Sequence, residues 1–225
     1  MSRVFVLRPE PGLSATMERG RALGLAMEAM PLSHAEPVDW AVPDGAFDGV
    51  LLGSANGLRF AGEGLAALSG LPVYAVGEAT ADAARARGFA VAKVGSGGLQ
   101  ALVDTLPNES PLRLLRLAGA EHLPIHPPAH VTIATATTYA IVHRPLDEDD
   151  VARLAAGGVV LLHSGAAASH FAAECKRAGI DRRVLALAAL APRIARSASD
   201  GWKSVRVAAN PEDAALLSLA ADMCH

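Results

Sequence analysis

The chain is poor in several of the residue types that announce a function. It has two cysteines in 225 residues, Cys175 and Cys224. Neither stands at CxxC or metal-ligand spacing, so no disulfide is expected and a reducing compartment is. Two tryptophans, two tyrosines and five phenylalanines make an aromatic share of 4%. The core must therefore be filled by Ala, Leu and Val, which suits helices laid closely on a sheet. Net charge is −3, with acids and bases interspersed. Without a basic stripe, no nucleic-acid partner is expected. The longest apolar run, 184–191, falls far short of the roughly 20 residues that span a bilayer. The opening residues lack the apolar segment of a secretion signal. The expectation is a soluble, cytoplasmic protein that does not enter a membrane.

What the chain does contain is an echo of itself. Val50-Leu51-Leu52-Gly53-Ser54-Ala55-Asn56-Gly57 is answered 110 positions later by Val160-Leu161-Leu162-His163-Ser164-Gly165-Ala166-Ala167. Gly88-Phe89-Ala90-Val91-Ala92-Lys93-Val94 is answered by Gly201-Trp202-Lys203-Ser204-Val205-Arg206-Val207. In the first pair a short apolar run stops at a serine and at small residues suited to starting a helix.

Short apolar runs at 4–7, 29–32, 50–52, 73–76, 91–94, 112–117, 159–162, 184–187 and 204–207 read as buried strands. A β-branched stretch at 129–142 reads as one or two more. Helices are expected at 13–27, 56–68, 80–87, 99–106, from the acids 147–150 to 156, and at 166–178, 192–199 and 212–223. Strand–helix alternation at this spacing implies parallel sheets covered on both faces. The polar stretch 33–43 separates the N-terminal segment from the first copy, and 142–150 separates the first copy from the second. The expected fold is α/β: two similar parallel-sheet domains joined by a two-segment hinge, with the active site in the cleft between them. Residues 36–142 would form a domain inserted into an outer one made of 1–35 and 143–225.

In open parallel sheets ligands bind beyond the carboxyl ends of the strands. Junctions there are rich in Ser, Thr and Gly: Ser54-Ala55-Asn56-Gly57, Gly77-Glu78-Ala79-Thr80, Gly95-Ser96-Gly97-Gly98 and His163-Ser164-Gly165. Free N–H groups at such helix starts suit carboxylates or phosphates; the plain alternative is that these residues only cap helices. Gly95-x-Gly97-x-x-Gln100 lacks the third glycine of a dinucleotide fingerprint, no P-loop occurs, and neither Ser54 nor Ser164 sits in a Gly-x-Ser-x-Gly elbow. His122, His126 and His130 are separated by prolines and read as a solvated loop rather than a metal site. Tyr139 ends a Thr-rich extended segment. It reads either as interface packing or as a phenol donor aimed into the cleft.

Val6-Leu7-Arg8-Pro9, Leu52-Gly53-Ser54-Ala55-Asn56-Gly57, Val73-Tyr74-Ala75-Val76-Gly77-Glu78-Ala79-Thr80-Ala81 and Leu114-Leu115-Arg116-Leu117-Ala118-Gly119 resemble, in order, segments of the uroporphyrinogen-III synthase family. Tyr139, Leu162-His163-Ser164 and Val207-Ala208 followed by Pro211 continue the resemblance over nearly the whole chain. It implies cofactor-free closure of the linear tetrapyrrole hydroxymethylbilane, with inversion of its last ring and release of water, in porphyrin biosynthesis. It also implies a monomer. Tyr139 would be the proton donor. Ser54, Asn56, Gly77, Thr80, Gly97, His163, Ser164 and Gly165 would bind the substrate, whose eight carboxylates several helix starts could share. The second copy departs from the family pattern at Ala191 and Ile194, where Gly and Thr are common, and Gly53 stands where Thr is common. The competing expectation is a two-lobed cytosolic binding or sensor protein that closes on a small polyanion without chemistry.

Overall fold

The computed structural model describes residues 2–224. Its packing divides the chain into two compact units. The outer unit is Met1–His34 with Val142–His225, and the inserted unit is Ala35–Ile141. The chain begins with β1 (Arg3–Val6), α1 (Gly12–Ala22) and β2 (Ala26–Ala29), then passes through β3 (Ser33–Pro37). The inserted unit follows with β4 (Gly49–Leu52), α2 (Asn56–Arg59), β5 (Val73–Val76), α3 (Glu78–Arg85), β6 (Val91–Gly95), α4 (Leu99–Asp104), β7 (Leu112–Gly119) and β8 (Val131–His143). The outer unit resumes with α5 (Glu148–Ala155), β9 (Gly158–Leu162), α6 (Gly165–Arg177), β10 (Leu185–Ala189), α7 (Pro192–Ser197), β11 (Ser204–Val207) and α8 (Asp213–Met223).

The outer sheet has the order β11-β10-β9-β1-β2, with every pairing parallel. The inserted sheet has the order β3-β8-β7-β4-β5-β6, parallel across β8-β7-β4-β5-β6. Written from the other edge, β6-β5-β4-β7-β8 matches β11-β10-β9-β1-β2 strand for strand. The sequence echo is therefore half of a whole-unit equivalence. Strands β4 to β6 repeat as β9 to β11, while β7 and β8 correspond to β1 and β2 from the start of the chain. The outer unit is a circular permutation of the inserted one.

The strands read as unbroken apolar runs because both faces are covered. In the outer unit, Phe5, Leu7, Val160 and Leu162 pack on one face with Phe171 and Leu154, while Val4, Val6, Val159 and Leu161 pack on the other with Met17 and Leu216. In the inserted unit, Val50, Leu52, Leu115 and Leu117 meet Leu58, Ala81 and Ala84. Leu51 and Leu114 meet Leu102 and Val103 on the opposite face.

One helix breaks the equivalence. In the outer unit α1 follows β1 and covers the Val4–Val6 face. In the inserted unit β7 is followed by residues 120–130, which form no helix among the described residues. Pro124, Pro127 and Pro128 remove three backbone donors from that stretch.

Four sequence expectations require correction. The helix expected over 13–27 stops at Ala22, and residues 26–29 are a strand. Gly24 takes φ +75°, and the bonds Leu25 N–H to Gly20 O (3.1 Å) and Gly24 N–H to Arg21 O (2.9 Å) close the helix in a Schellman motif. Of the strand expected at 29–32 only Ala29 belongs to β2, and part of the expected polar connection 33–43 is β3. The helix expected over 56–68 is α2 followed by a 3-10 segment, Gly62–Leu68, with the break at Gly62, φ +55°. The stretch 129–142 is one strand of 13 residues. The acids 147–150 do start a helix: Asp147 and Asp150 form a reciprocal capping box on α5.

Candidate active site

In the inserted unit a cavity of about 400 Å³ opens at the carboxyl ends of β4, β5 and β7, beside Tyr139 of β8. Ser54, Gly97, Gln100, Arg116, His122 and Tyr139 are among its lining residues. It lies where the counterpart of α1 is missing, against α4 and the loop that follows β7. Gly53 also lines it, and a Cβ there would come within 2.6 Å of Leu99 Cδ1. The Leu99 side chain thus fills the space that a threonine at 53 would need.

Tyr139 is set by register. It lies opposite Gly119 in the β7–β8 ladder, at a bulge between Ala118 and Gly119. Its ring packs 5.9 Å from that of Phe60. Ser54 Oγ accepts the Asn56 N–H at 3.3 Å. The Arg116 guanidinium donates from Nη1 to Leu123 O at 3.0 Å. Burial lowers its pKa, and the nearby Tyr139 phenol offsets part of that effect. Gln100 is consumed by Asp104 and by His126, whose backbone it both donates to and accepts from.

Of the residues expected from sequence, the structure gathers Ser54, Gly97 and Tyr139 around this cavity. Asn56, Gly77 and Thr80 share the same carboxyl edge of the sheet but do not line it. Asn56 Oδ1 is buried without a hydrogen-bond partner. Gly77 takes φ +77° before α3, and Thr80 is buried in the first turn of that helix. The second-copy counterparts differ in backbone as well as side chain: Ala191 is extended at φ −154°, and Ile194 is buried in the outer core.

In the outer unit the corresponding strand ends carry a polar network. Ser164 caps α6, accepting the Ala167 N–H at 3.1 Å, and Gly165 begins the helix. His163 Nε2 donates to Asp213 Oδ1 at 2.9 Å, leaving Nδ1 buried and unpartnered. Asp213 also accepts from Thr16 Oγ1 (3.0 Å) and Arg19 Nη1 (2.6 Å), and Arg8 Nη1 stands 3.6 Å away. Burial would raise the Asp213 pKa, but His163, Thr16 and Arg19 outweigh it and hold the carboxyl at about 2. Burial lowers the His163 pKa despite Asp213, which favours the neutral ring with its proton on Nε2. His163–Asp213 stands in the place of Gly53–Leu99. The same strand end and helix start are joined by a hydrogen bond in one unit and by close apolar packing in the other.

Sequence reasoning missed Arg116 and Asp213 as site residues. A charge in the interior of a mostly apolar strand was the available signal for Arg116, and Arg113 in the same strand diluted it. Asp213 gave none, because only the fold brings α8 against α1 and the end of β9. Among the described residues no three His, Cys, Asp or Glu side chains form a metal-sized cluster, and His122 Nδ1 lies 2.8 Å from Gly119 O. No helix among them is long and apolar enough to cross a membrane.

Fold and site together define an α/β protein of two permuted parallel-sheet units that offers a cavity bearing a guanidinium and hydroxyls at the carboxyl ends of its strands. A family model described as uroporphyrinogen-III synthase HemD matches residues 14–218, and the chain belongs to that family. The structure resembles uroporphyrinogen-III synthetase from Helicobacter pylori with a TM-score of 0.67 and 14% identity, over 99% of this chain and 100% of that one. It also resembles a mutant uroporphyrinogen III synthase from the extremely thermophilic bacterium Thermus thermophilus, at a TM-score of 0.50 and 14% identity, over 97% and 96% of the two chains. At such identities the likeness concerns the fold. No curated protein matches the sequence.

Proposed function

We propose that the chain is a hydro-lyase that closes hydroxymethylbilane to uroporphyrinogen III, working as a cofactor-free monomer in the cytoplasm. The family match across residues 14–218 carries the reading. In the reaction the terminal hydroxyl is protonated and leaves as water, giving an azafulvene cation. The last ring attacks that carbon through its substituted position, and the resulting spiro intermediate opens and recloses with the ring inverted. Loss of a ring proton then restores aromaticity, so the net change is the loss of one water. Most of the rate must come from holding a flexible chain in one folded arrangement. That demand accords with a site holding several anion-binding groups and little nucleophilic machinery.

Tyr139 is the proton donor to the departing hydroxyl, supported by its place in the cavity beside Ser54 and Arg116. Ser54 and Gly97 contact substrate there. Asn56, Gly77 and Thr80 act at the same sheet edge, and His163, Ser164 and Gly165 hold further carboxylates at the corresponding edge of the outer unit. Cys175 and Cys224 are both free thiols, in keeping with a reducing compartment. The test is the isomer formed from fresh hydroxymethylbilane: the type III product supports the reading. The type I product alone, at the uncatalysed rate, refutes it.

A further inference from the structure

We infer that Arg116 anchors a carboxylate of the substrate inside the inserted unit's cavity and so determines which arrangement of the tetrapyrrole binds there; the inference rests on the function proposed above.

The permuted equivalence gives Arg116 a counterpart. Arg116 pairs with Leu51, and Val6 pairs with Leu161. Leu51 and Leu161 are the same position of the sequence echo, so Arg116 occupies the place of Val6. Val6 is fully buried in the core cluster that includes α1 and α8 side chains. No α1 exists in the inserted unit, and the face there, covered by α4 and the loop after β7, carries a guanidinium where the outer unit's face carries a valine. An uncompensated cation on a sheet face is a poor substitute for packing. It is a suitable one for a face that receives an anion.

The partners of Arg116 support this. Arg8, Arg19, Arg85, Arg144, Arg153, Arg177 and Arg183 each pair with a carboxylate. Arg116 forms no ion pair among the described residues; Arg87, Arg113 and Arg182 also bond only to neutral oxygens, but of these four it is Arg116 that lines the cavity. One of its donors reaches the Leu123 carbonyl, leaving most of the guanidinium fork without a protein acceptor. Burial lowers the pKa of two arginines, Arg8 and Arg116. Arg8 has Asp213 beside it, whereas Arg116 has only the Tyr139 phenol. Glu121 lines the same cavity and is exposed, yet makes no ion pair with Arg116. A substrate carboxylate would complete the guanidinium in bidentate geometry, and would set the tetrapyrrole beside Tyr139.

The simpler role for Arg116 is to tie down the loop after β7 through Leu123, and the experiment separates the two. Steady-state kinetics of Arg116→Gln and Arg116→Lys are compared with wild type. Loss of a charge-assisted contact should raise KM about 10- to 100-fold in Arg116→Gln, with a much smaller change in kcat. Arg116→Lys should recover part of the loss. An unchanged KM in Arg116→Gln would overturn the inference and leave the loop tie as its role. A second measurement needs no variant. Phenylglyoxal modification of Arg116 in the wild-type protein, followed by peptide mapping, should slow markedly when the oxidised, non-reacting octacarboxylate product is added. Equal labelling with and without that probe would also overturn it. If wild type makes no type III isomer, the proposed function fails. The labelling result still decides whether Arg116 binds a carboxylate.

Discussion

Gly119 and Tyr139 face each other across the β7–β8 ladder so closely that a Cβ on residue 119 would lie 2.8 Å from Cε2 and Cζ of the tyrosine ring. The absent side chain is what lets the phenol lie over the end of β7, within the cavity. Gly119→Ala should therefore displace the ring, at a stability cost of about 1–3 kcal/mol for overpacking. Tyr139→Phe should lower kcat toward the smaller end of the about 10²- to 10⁴-fold range of general acids, with the melting temperature little changed. In the double variant the kcat losses should not add, since both changes remove one group's action. Additive losses would mean that Gly119 acts through something other than Tyr139.

Ser54 lines the same cavity, and among the described residues its hydroxyl has one hydrogen bond, accepted from the Asn56 N–H. Removing its hydroxyl in Ser54→Ala should raise KM about 2- to 10-fold, the value of a neutral hydrogen bond. Kinetics indistinguishable from wild type would reduce Ser54 to a turn residue.

Asp213 makes a pH prediction. Its folded pKa, about 2, lies below the ordinary 3.8. A depressed carboxyl contributes stability that is fully present above the ordinary value and lost as pH falls through the folded one. Melting temperatures of wild type and Asp213→Asn should therefore differ most above pH 4 and converge toward pH 2. The buried His163 lowers the stability of both proteins as pH falls below about 6.5, because its lowered pKa makes protonation unfavourable to the fold. A gap between the two proteins that stays constant from pH 6 to pH 2 would contradict this account of the network.

Asp150 is fully buried between Arg144 and Arg153, and it closes the α5 capping box. Asp150→Ala leaves Arg144 with only the more distant Asp147 (3.5 Å) and Arg153 with only Glu28 (3.8 Å), and opens the cap. The expected loss is about 2–3 kcal/mol, or about 5–10 °C in Tm. A change within a degree of wild type would show that water replaces the carboxylate at no cost.

Much of the fold was legible in the sequence for a physical reason. Val50-Leu51-Leu52 and Val160-Leu161-Leu162 are buried on both faces, and such strands read as unbroken apolar runs. What could not be read was order in space. Leu114 to Gly119 and Val4 to Pro9 share no obvious phrase, although β7 and β1 hold the same place in their sheets, so the permutation was hidden. Gly24 and Gly62 each closed a helix inside a small, apolar sequence whose periodicity ran on past them. The cavity was illegible for the same reason as the permutation. It is defined by a helix that one unit has and the other lacks, and a missing helix leaves no motif. Gly53 had suggested a lost threonine, and Ala191 and Ile194 a lost glycine and threonine. In the structure Leu99 occupies the space beside Gly53, and Ile194 is buried in the outer core.

The most direct test of the proposed function remains the product itself. Purified protein, supplied with freshly prepared hydroxymethylbilane, is quenched, oxidised and resolved into isomers, with a protein-free control run in parallel. The expected product is predominantly the type III isomer, formed faster than in the control and more slowly with Tyr139→Phe. Type I product alone, at the control rate, would contradict it.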